Sequence, residues 1–486
     1  MSDIRSLEPK ALWEYFHEIC QIPHPSKKEK KIIEFMKEFG MKNNLETIVD
    51  KVGNVIIRKP ATKGMENRMG VILQAHLDMV PQKNSENKHD FEKDRIETVI
   101  DGEWVRANGT TLGSDNGIGV AAAMAVLASK SIKHGPVEAL FTIDEETGMT
   151  GAFGLGKGLL KGDILLNLDS EDEGELYVGC AGGIDVSVVK KYTEEKSPRG
   201  MSAFKVIAKG MKGGHSGVDI HLGRANSNKI MFRFLMQAEA DFGIRLSEAA
   251  GGDLRNAIPR ESHAIMLVPD KKIKDFEKFV KGYEKMYRAE FAETEPTLSF
   301  RASKADPPSK VLKKEDQYKI IRAIYACPNG VQRMSQAMKG LVETSNNLAI
   351  VRCADGKFEA HNLTRSSVDS AKEATAWKIA AVFHLIDANV TLKGSYPGWK
   401  PNMQSHILNT MSSVYKDMYG KTPEIKAIHA GLECGILGGV YPKLDMISFG
   451  PTIRYPHSPD EKVNIESVCK FWDFLVETLK HIPVRK

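Results

Sequence analysis

At 486 residues the chain is long enough for two large or three ordinary domains, each with a sizeable core, so a peptide or a disordered tail is excluded. Hydrophobic residues make up 42% and charged residues 27%, and the net charge of +5 arises from a well-mixed 68 basic and 63 acidic side chains. That balance is too dilute for a nucleic-acid or membrane footprint and points to a small partner.

The N-terminus, MSDIRSLEPKALWEYF, lacks the apolar stretch of a signal peptide, and no run approaches the ~18 apolar residues of a membrane span, so a cytoplasmic location is expected. Six cysteines (Cys20, Cys180, Cys327, Cys353, Cys434, Cys469) are scattered without a C-x-x-C pair. Reduced, structural thiols are expected, not a disulfide scaffold or a thiolate metal site.

Taken in chain order, residues 28–40 place Ile32, Ile33, Phe35, Met36 and Phe39 at helical spacing. Apolar runs follow in VGNVIIRK, MGVILQAH, VEALFTIDEE and DILLNLDSE, which read as buried parallel strands. Between the second and third lies GIGVAAAMAVLAS (117–129), apolar nearly all round and therefore a fully buried helix. From about residue 187 the texture changes to alternating strands such as SAFKVIAKG and SHAIMLVP, interleaved with helices such as SNKIMFRFLMQAEA. Two stretches there, KGMKGGHSG and QAMKGLVETSNNLAIV, rhyme as a duplicated lid module would. GSYPGWKP (394–401) reads as a linker, after which a helix, the strand DMISFGP and a final helix return to the first texture. The expected architecture is an α/β domain with a mixed or parallel sheet, built from residues 1–186 and 399–486, with a doubled α+β lid domain inserted over 187–398.

The acidic clusters fall at the carboxyl ends of the strands, the edge at which open α/β sheets bind ligands. In QAHLDMV, His76 and Asp78 leave one face of a strand, a pairing that suits a metal ligand and the carboxylate that orients it. Asp115 in TLGSDNGIGV stands just before the buried helix, where it reads either as an N-cap or as a ligand beside His76. TIDEETG ends a strand with Asp144, Glu145 and Glu146, a concentration of charge that is costly at a buried strand end unless a cation meets it. LLNLDSEDEGE repeats the pattern with Asp169, and RYPHSPDE supplies His457 in a Pro-flanked loop. Together His76, Asp115, Glu146, Asp169 and His457 offer two neutral imidazoles and three carboxylates, which with one hydroxide balance two divalent cations. With no thiolate in the set, zinc is favoured, manganese or cobalt substituting. Glu145, beside a ligand but not one, is left as general base.

IPHPSKKE, QAHLDMV, TLGSDNGIG, DEETGMTGA, NLDSEDEGE, GGHSG and RYPHSPDE together resemble the di-zinc metallopeptidase family that includes carnosinases, aminoacylases and bacterial dipeptidases, over nearly the whole length. The resemblance implies that His76 and Asp169 hold one zinc, Glu146 and His457 the other, that Asp115 bridges them, and that the 115–116 peptide is cis. It implies further that Asp78 orients His76, that Glu145 is the acid/base, and that His215 in KGGHSGVD, otherwise read as a hairpin tip, stabilises the oxyanion. Asn256 in LRNAIP and Arg365 in HNLTRSS match substrate-holding positions, Arg365 facing the terminal carboxylate. Glu433 in HAGLECG is a candidate for the substrate's amino group. The implied activity is hydrolysis of small unblocked dipeptides, Xaa-His such as carnosine first. A deacylase or desuccinylase of N-acyl amino acids shares every ligand, and a non-catalytic zinc-binding module is a third reading. Each chain is expected to complete its own site, so that a homodimer is not required for chemistry. GLGKGLLKGD lacks the spacing of a phosphate loop, and Cys180 in GCAGG reads as tight packing.

Overall fold

The computed structural model of the chain describes residues 3–485. They divide into two compact units, the first formed by residues up to Gly179, Pro401–Ala427 and the chain from Leu432 onward, the second by Cys180–Lys400 and the short return Ile428–Gly431. Among the described residues no helix is long and apolar enough to cross a membrane.

An eight-stranded mixed sheet runs through the first unit in the order Glu46–Val49, Val55–Lys59, Val137–Thr142, Val71–His76, Ile164–Asn167, Asp445–Ser448, Glu175–Cys180, Glu424–Ile428. The strands Val137–Thr142, Val71–His76, Ile164–Asn167 and Asp445–Ser448 are parallel. Every residue of the first three is buried, as befits strands covered on both faces. Because these three are neighbours, their carboxyl ends open side by side at the ~4.8 Å strand spacing. Val55–Lys59, expected to be parallel, pairs antiparallel with both its neighbours. Its link to Glu46–Val49 is a tight turn, in which Asp50 Oδ1 accepts from the amides of Val52, Gly53 and Asn54, and so short a link permits only a hairpin.

The apolar segment after residue 113 forms the helix Ser114–Ala128, whose side chains from Asn116 to Leu127 are all buried. Asp115 and Asn116 depart from helical geometry, and the peptide bond between them is cis. Gly113 precedes the helix in the left-handed region (φ 73°). At Gly119 a Cβ would stand 2.6 Å from the Leu168 carbonyl, so only glycine lets this helix approach the end of strand Ile164–Asn167 so closely. A four-stranded sheet, Ile453–Arg454, Lys462–Asn464, Trp104–Ala107, Thr98–Asp101, holds the hairpin whose loop is 455–461. The first-turn expectation at residue 28 shifts slightly: the amphipathic helix is Lys30–Lys42, with Ile32, Met36 and Phe39 buried.

The second unit is one antiparallel sheet in the order Ser299–Lys304, Met201–Lys209, Ser262–Pro269, Arg245–Gly251, Val342–Ala354, Lys357–Ser366, Gly182–Lys191, Asn389–Tyr396. It is two βαββαβ modules joined edge to edge. The first runs Met201–Lys209, helix Ser227–Phe242, Arg245–Gly251, Ser262–Pro269, helix Ile273–Glu290, Ser299–Lys304. The second runs Gly182–Lys191, helix Lys314–Ala326, Val342–Ala354, Lys357–Ser366, helix Asp369–His384, Asn389–Tyr396, with the first inserted after its opening strand. Strand order is the same in both, and the seam is the antiparallel pairing of Ala249, Ala250 and Gly251 with Cys353, Arg352 and Val351. The unit is doubled, but not as the rhyming stretches suggest. MKGGHSG follows the first strand of its module whereas MKGLVET leads into the second strand of the other, so the two are not equivalent positions. GSYPGWKP is likewise no free linker: its first residues finish strand Asn389–Tyr396, and Trp399 is buried, exchanging backbone hydrogen bonds of 2.9 Å with Cys180.

Cys20, Cys180, Cys327, Cys353 and Cys434 are buried. Burial pushes the thiols of Cys327 and Cys353 up to about 12, which suits packing and not nucleophilic chemistry.

Replacing Gly119 by Ala inserts a methyl against the Leu168 carbonyl and is expected to lower the unfolding free energy by about 1–3 kcal/mol in denaturant titrations. Parent-like stability would show that the helix does not depend on this close approach.

Candidate metal centre and active site

The expected ligands converge in the first unit at the open strand ends. His76 ends its strand with Nε2 3.2 Å from Asp115 Oδ1 and 3.4 Å from Asp169 Oδ1. His457 Nε2 lies 3.2 Å from Asp115 Oδ2 and 2.9 Å from Glu146 Oε1. Two triads result, His76–Asp115–Asp169 and Asp115–Glu146–His457, each with one ligand atom per residue within 4.8 Å of the others. Asp115 belongs to both. The N-cap alternative for Asp115 is not realised, since its carboxylate faces the two imidazoles and Gly113 is the capping residue without a side-chain bond.

These residues fit a cation. The Nδ1–H of His76 donates to the Asp78 carbonyl at 3.0 Å, which leaves the Nε2 lone pair aimed at carboxylate oxygens. Lone pair and anions facing one another at 3.2–3.4 Å repel unless a proton or a metal stands between them. Glu146 Oε1 and Asp169 Oδ1 are buried and receive no directed hydrogen bond. Burial raises the Asp169 carboxyl to about 7, with Asp115 and Glu146 adding to the rise against the pull of His76. The Asp115 and Glu146 carboxylates that face its Nε2 raise His457 to about 11, against the opposing effect of burial. Burial works against the charged form of Asp115, but its bonds to His457 and His76 and their charge hold it well below the usual carboxylate range. The donor set is nitrogen and oxygen only, with two imidazoles and three carboxylates.

Glu145 and Glu146 open the short helix Glu145–Gly148, entered from Asp144 in the left-handed region (φ 51°). Asp78 holds that helix start: Oδ1 accepts from the Glu145 amide at 2.9 Å, and Oδ2 from the Glu146 amide at 3.3 Å and from Ser26 Oγ at 2.8 Å. Its carboxylate is 3.5 Å from His76 Nδ1, farther than its own carbonyl, so Asp78 reaches the imidazole chiefly through the main chain and the glutamates through its side chain. Burial holds the Glu145 carboxyl well above its ordinary range, the field of His76 opposing and those of Asp169, Glu433 and Glu146 assisting. Glu145 also lies within ligand distance of His76 and Glu146.

Two supports escape the reading of isolated motifs. Glu461, 2% exposed, accepts the amides of Leu112 (2.8 Å), Gly113 (3.0 Å), Ser114 (2.7 Å) and Asp115 (3.2 Å) and the Ser114 hydroxyl (2.6 Å). The only sequence signal was an acid four residues after His457 in the same motif. Beneath the ligands, Gln74 and Thr142 donate to Glu433 Oε2 at 2.6 and 2.7 Å, and Asn167 donates to Gln74. Alternation along the strands carries the signal for Gln74, which shares a face with His76, and for Asn167, which shares one with Asp169. Burial raises Glu433 to about 7, and its Oε1 has no hydrogen-bond partner.

His215, Asn256 and Arg365 lie in the second unit. Gly214–His215 pairs with Ala257–Ile258, and the Ser216 amide donates to the Asn256 carbonyl at 2.8 Å, so the His215 and Asn256 segments are one structure. The amides of Gly217 and Val218 both donate to His215 Nδ1, at 3.1 and 3.2 Å. Burial and the neighbouring Arg365 lower its pKa, so the ring is neutral with its hydrogen on Nε2, a donor. The Asn256 side chain is exposed. Arg365 is 5% exposed, donates to Ser216 Oγ (3.4 Å) and Tyr396 Oη (3.2 Å), and has no carboxylate within ion-pair distance among the described residues. A buried guanidinium without a counter-charge is suited to receive an anion.

Both the fold and the site mark a metallopeptidase-like α/β hydrolytic centre, and comparison with known proteins agrees. Residues 72–481 match Peptidase family M20/M25/M40, and the chain belongs to that family. It is 47% identical to the cytosol non-specific dipeptidase of Escherichia coli (strain K12), the match covering 100% of each chain. The crystal structure of aminoacylhistidine dipeptidase from Vibrio alginolyticus superposes with a TM-score of 0.96 at 48% identity, covering 100% of this chain and 99% of that one. Aminopeptidase PepT from Bacillus cereus shares the fold with a TM-score of 0.58 at 16% identity, covering 98% and 99%.

Divalent cations are expected to raise the melting temperature, with about 2.7 kcal/mol of stabilisation at 100-fold excess over Kd. Asp115→Ala should abolish that rise and the uptake of both ions measured by elemental analysis. Two ions retained in this variant would rule out a shared ligand.

Proposed function

We propose that this protein is a two-zinc dipeptidase that hydrolyses small unblocked dipeptides, Xaa-His substrates such as carnosine first, with manganese or cobalt able to substitute. The observation that carries the reading is the shared Asp115 carboxylate, 3.2 Å from each of two imidazoles, with Glu145 close to His76 and Glu146. Full-length similarity to proteins named as dipeptidases, at 47% and 48% identity, supports the substrate class. The reading includes a cytoplasmic location, the compartment that the name of the E. coli relative states.

In this reading His76 and Asp169 would hold one cation, Glu146 and His457 the other, and Asp115 would serve both. When bound, the cations supply Lewis-acid chemistry, polarising a peptide carbonyl and making water acidic enough to yield a nucleophile near neutral pH. Glu145 takes the proton of the attacking water and later delivers it to the leaving amine nitrogen, so that one carboxyl serves as base and then acid. Its raised proton affinity suits that double task. Asp78, through the Glu145 amide, holds the carboxyl in place. His215 donates its Nε2 hydrogen to the carbonyl oxygen as charge develops there, the tautomer being set in advance by the Gly217 and Val218 amides. Arg365 pairs with the substrate's terminal carboxylate, replacing a counter-charge the fold does not provide. Asn256 and Glu433 are candidates for the rest of the substrate, the one through an exposed side chain, the other through its unpartnered Oε1.

Glu145→Gln is expected to cut kcat on dipeptides by about 10²–10⁴-fold while two cations still bind. Loss of metal together with activity would make Glu145 a ligand and not the proton carrier. Arg365→Ala should raise KM for dipeptides by at least about tenfold, the equivalent of one charge-assisted hydrogen bond. KM for the corresponding dipeptide amides should barely change, and an equal rise for both would remove the carboxylate from its role.

A further inference from the structure

The Glu461 carboxylate is the most completely bonded acid in the centre, yet the proposed chemistry does not use it. Four consecutive backbone amides, Leu112 to Asp115, and one hydroxyl point at its two oxygens. Among the described residues no Lys or Arg hydrogen-bonds to it, and the compensation for burying this charge comes from oriented backbone and hydroxyl dipoles. Four successive amides converge on one anion only if the backbone turns tightly, and Gly113 supplies the left-handed residue that the turn needs.

Glu461 also lies in the hairpin loop that carries His457, four residues further on. One side chain therefore ties together the two segments whose own side chains, Asp115 and His457, meet at 3.2 Å. The other ligands are placed differently: His76 ends a fully buried central strand, and Asp169 follows another. Their positions are set by the sheet, whereas those of Asp115 and His457 depend on two loops being clamped.

Resting on the two-cation reading above, we infer that Glu461 is a positioning residue of the metal centre, holding the Leu112–Asp115 turn against the His457 loop so that Asp115 spans both cation positions. The dependence is unequal. The cation held by Asp115, Glu146 and His457 relies on the clamp for two of its ligands, the cation held by His76, Asp115 and Asp169 for one. Glu461→Gln keeps the shape but turns an amide nitrogen toward backbone N–H groups, where donor faces donor.

The test is calorimetric titration of metal-free full-length protein with zinc, and cobalt spectra of the same samples, for wild type, Glu461→Gln and Ser114→Ala. In Glu461→Gln one of two cations is expected to bind about 10–100-fold more weakly, the usual consequence of losing an outer support of a ligand. Its cobalt absorption should change, the other cation should shift less, and kcat should fall with KM nearly constant. Two cations bound at wild-type affinity with unchanged cobalt spectra, whatever the melting temperature does, would overturn the inference. If Glu461→Gln does not fold, Ser114→Ala decides, because it deletes one bond of the five. A several-fold weakening of one cation supports the clamp, and wild-type binding of both overturns it. Wild-type protein that takes up fewer than two cations would instead bring down the two-cation reading, and the inference with it.

Discussion

One carboxylate placed between two imidazoles organises the first unit. Asp115 offers Oδ1 to His76 and Oδ2 to His457, each at 3.2 Å, and Asp169 and Glu146 close the array on either side. Such a concentration of acids in a largely buried place is unstable in isolation, because desolvation and mutual repulsion both oppose the charged forms. The shifted proton affinities record that conflict: Asp169 is driven up by burial, while Asp115 is held down by the imidazoles on both sides. The centre is built to be completed by positive charge, and the parallel strands, the kinked helix start and the hairpin loop are arranged around that requirement.

What prevents the array from relaxing is a layer of hydrogen bonds behind it. Asp78 ties the Glu145–Gly148 helix start, Glu461 ties the Leu112–Asp115 turn, and Glu433 with Gln74, Thr142 and Asn167 ties the strands beneath. Each is a buried polar group bonded to partners that belong to a different segment, so each converts a sequence-distant juxtaposition into a fixed distance. In the proposed reading, side chains held in this way would need little rearrangement to receive a cation, which is the physical content of a preorganised site.

The second unit solves a different problem with the same means. Two modules of identical strand order share one sheet of eight strands, to which Gly330–Met334 adds a ninth beside Val342–Ala354, where a single module would leave its seam edge exposed. The turn after strand Met201–Lys209 is bonded to the Asn256 segment, and two amides settle which nitrogen of His215 carries the hydrogen. Arg365, buried beside Ser216 and Tyr396, has no carboxylate within ion-pair distance among the described residues. Neutral donor and naked cation are complementary properties, and both are set by the backbone around the side chains.

Much of this was legible along the chain, because strand periodicity places acids and His76 at the ends of apolar runs, and because residue chemistry restricts what such a cluster can bind. The α/β class, the division of textures and the residues of the array follow from those local rules. The resemblance to a metallopeptidase family adds roles that no period or spacing contains, among them the cis peptide at 115–116, which the structure has. Other readings failed for reasons of tertiary pairing: Val55–Lys59 folds back as a hairpin strand, and the rhyming MKG stretches occupy unlike positions; the GSYPGWKP stretch does hold the passage between units at 400–401, but with Trp399 packed. Local sequence determines which side of a strand or helix a residue faces and what chemistry it can offer. Only the folded chain decides which distant segment stands opposite, and that is why Glu461, Gln74 and Asn167, each unremarkable in its own stretch, became visible as supports of the centre only once three strands, a turn and a hairpin loop had been brought together.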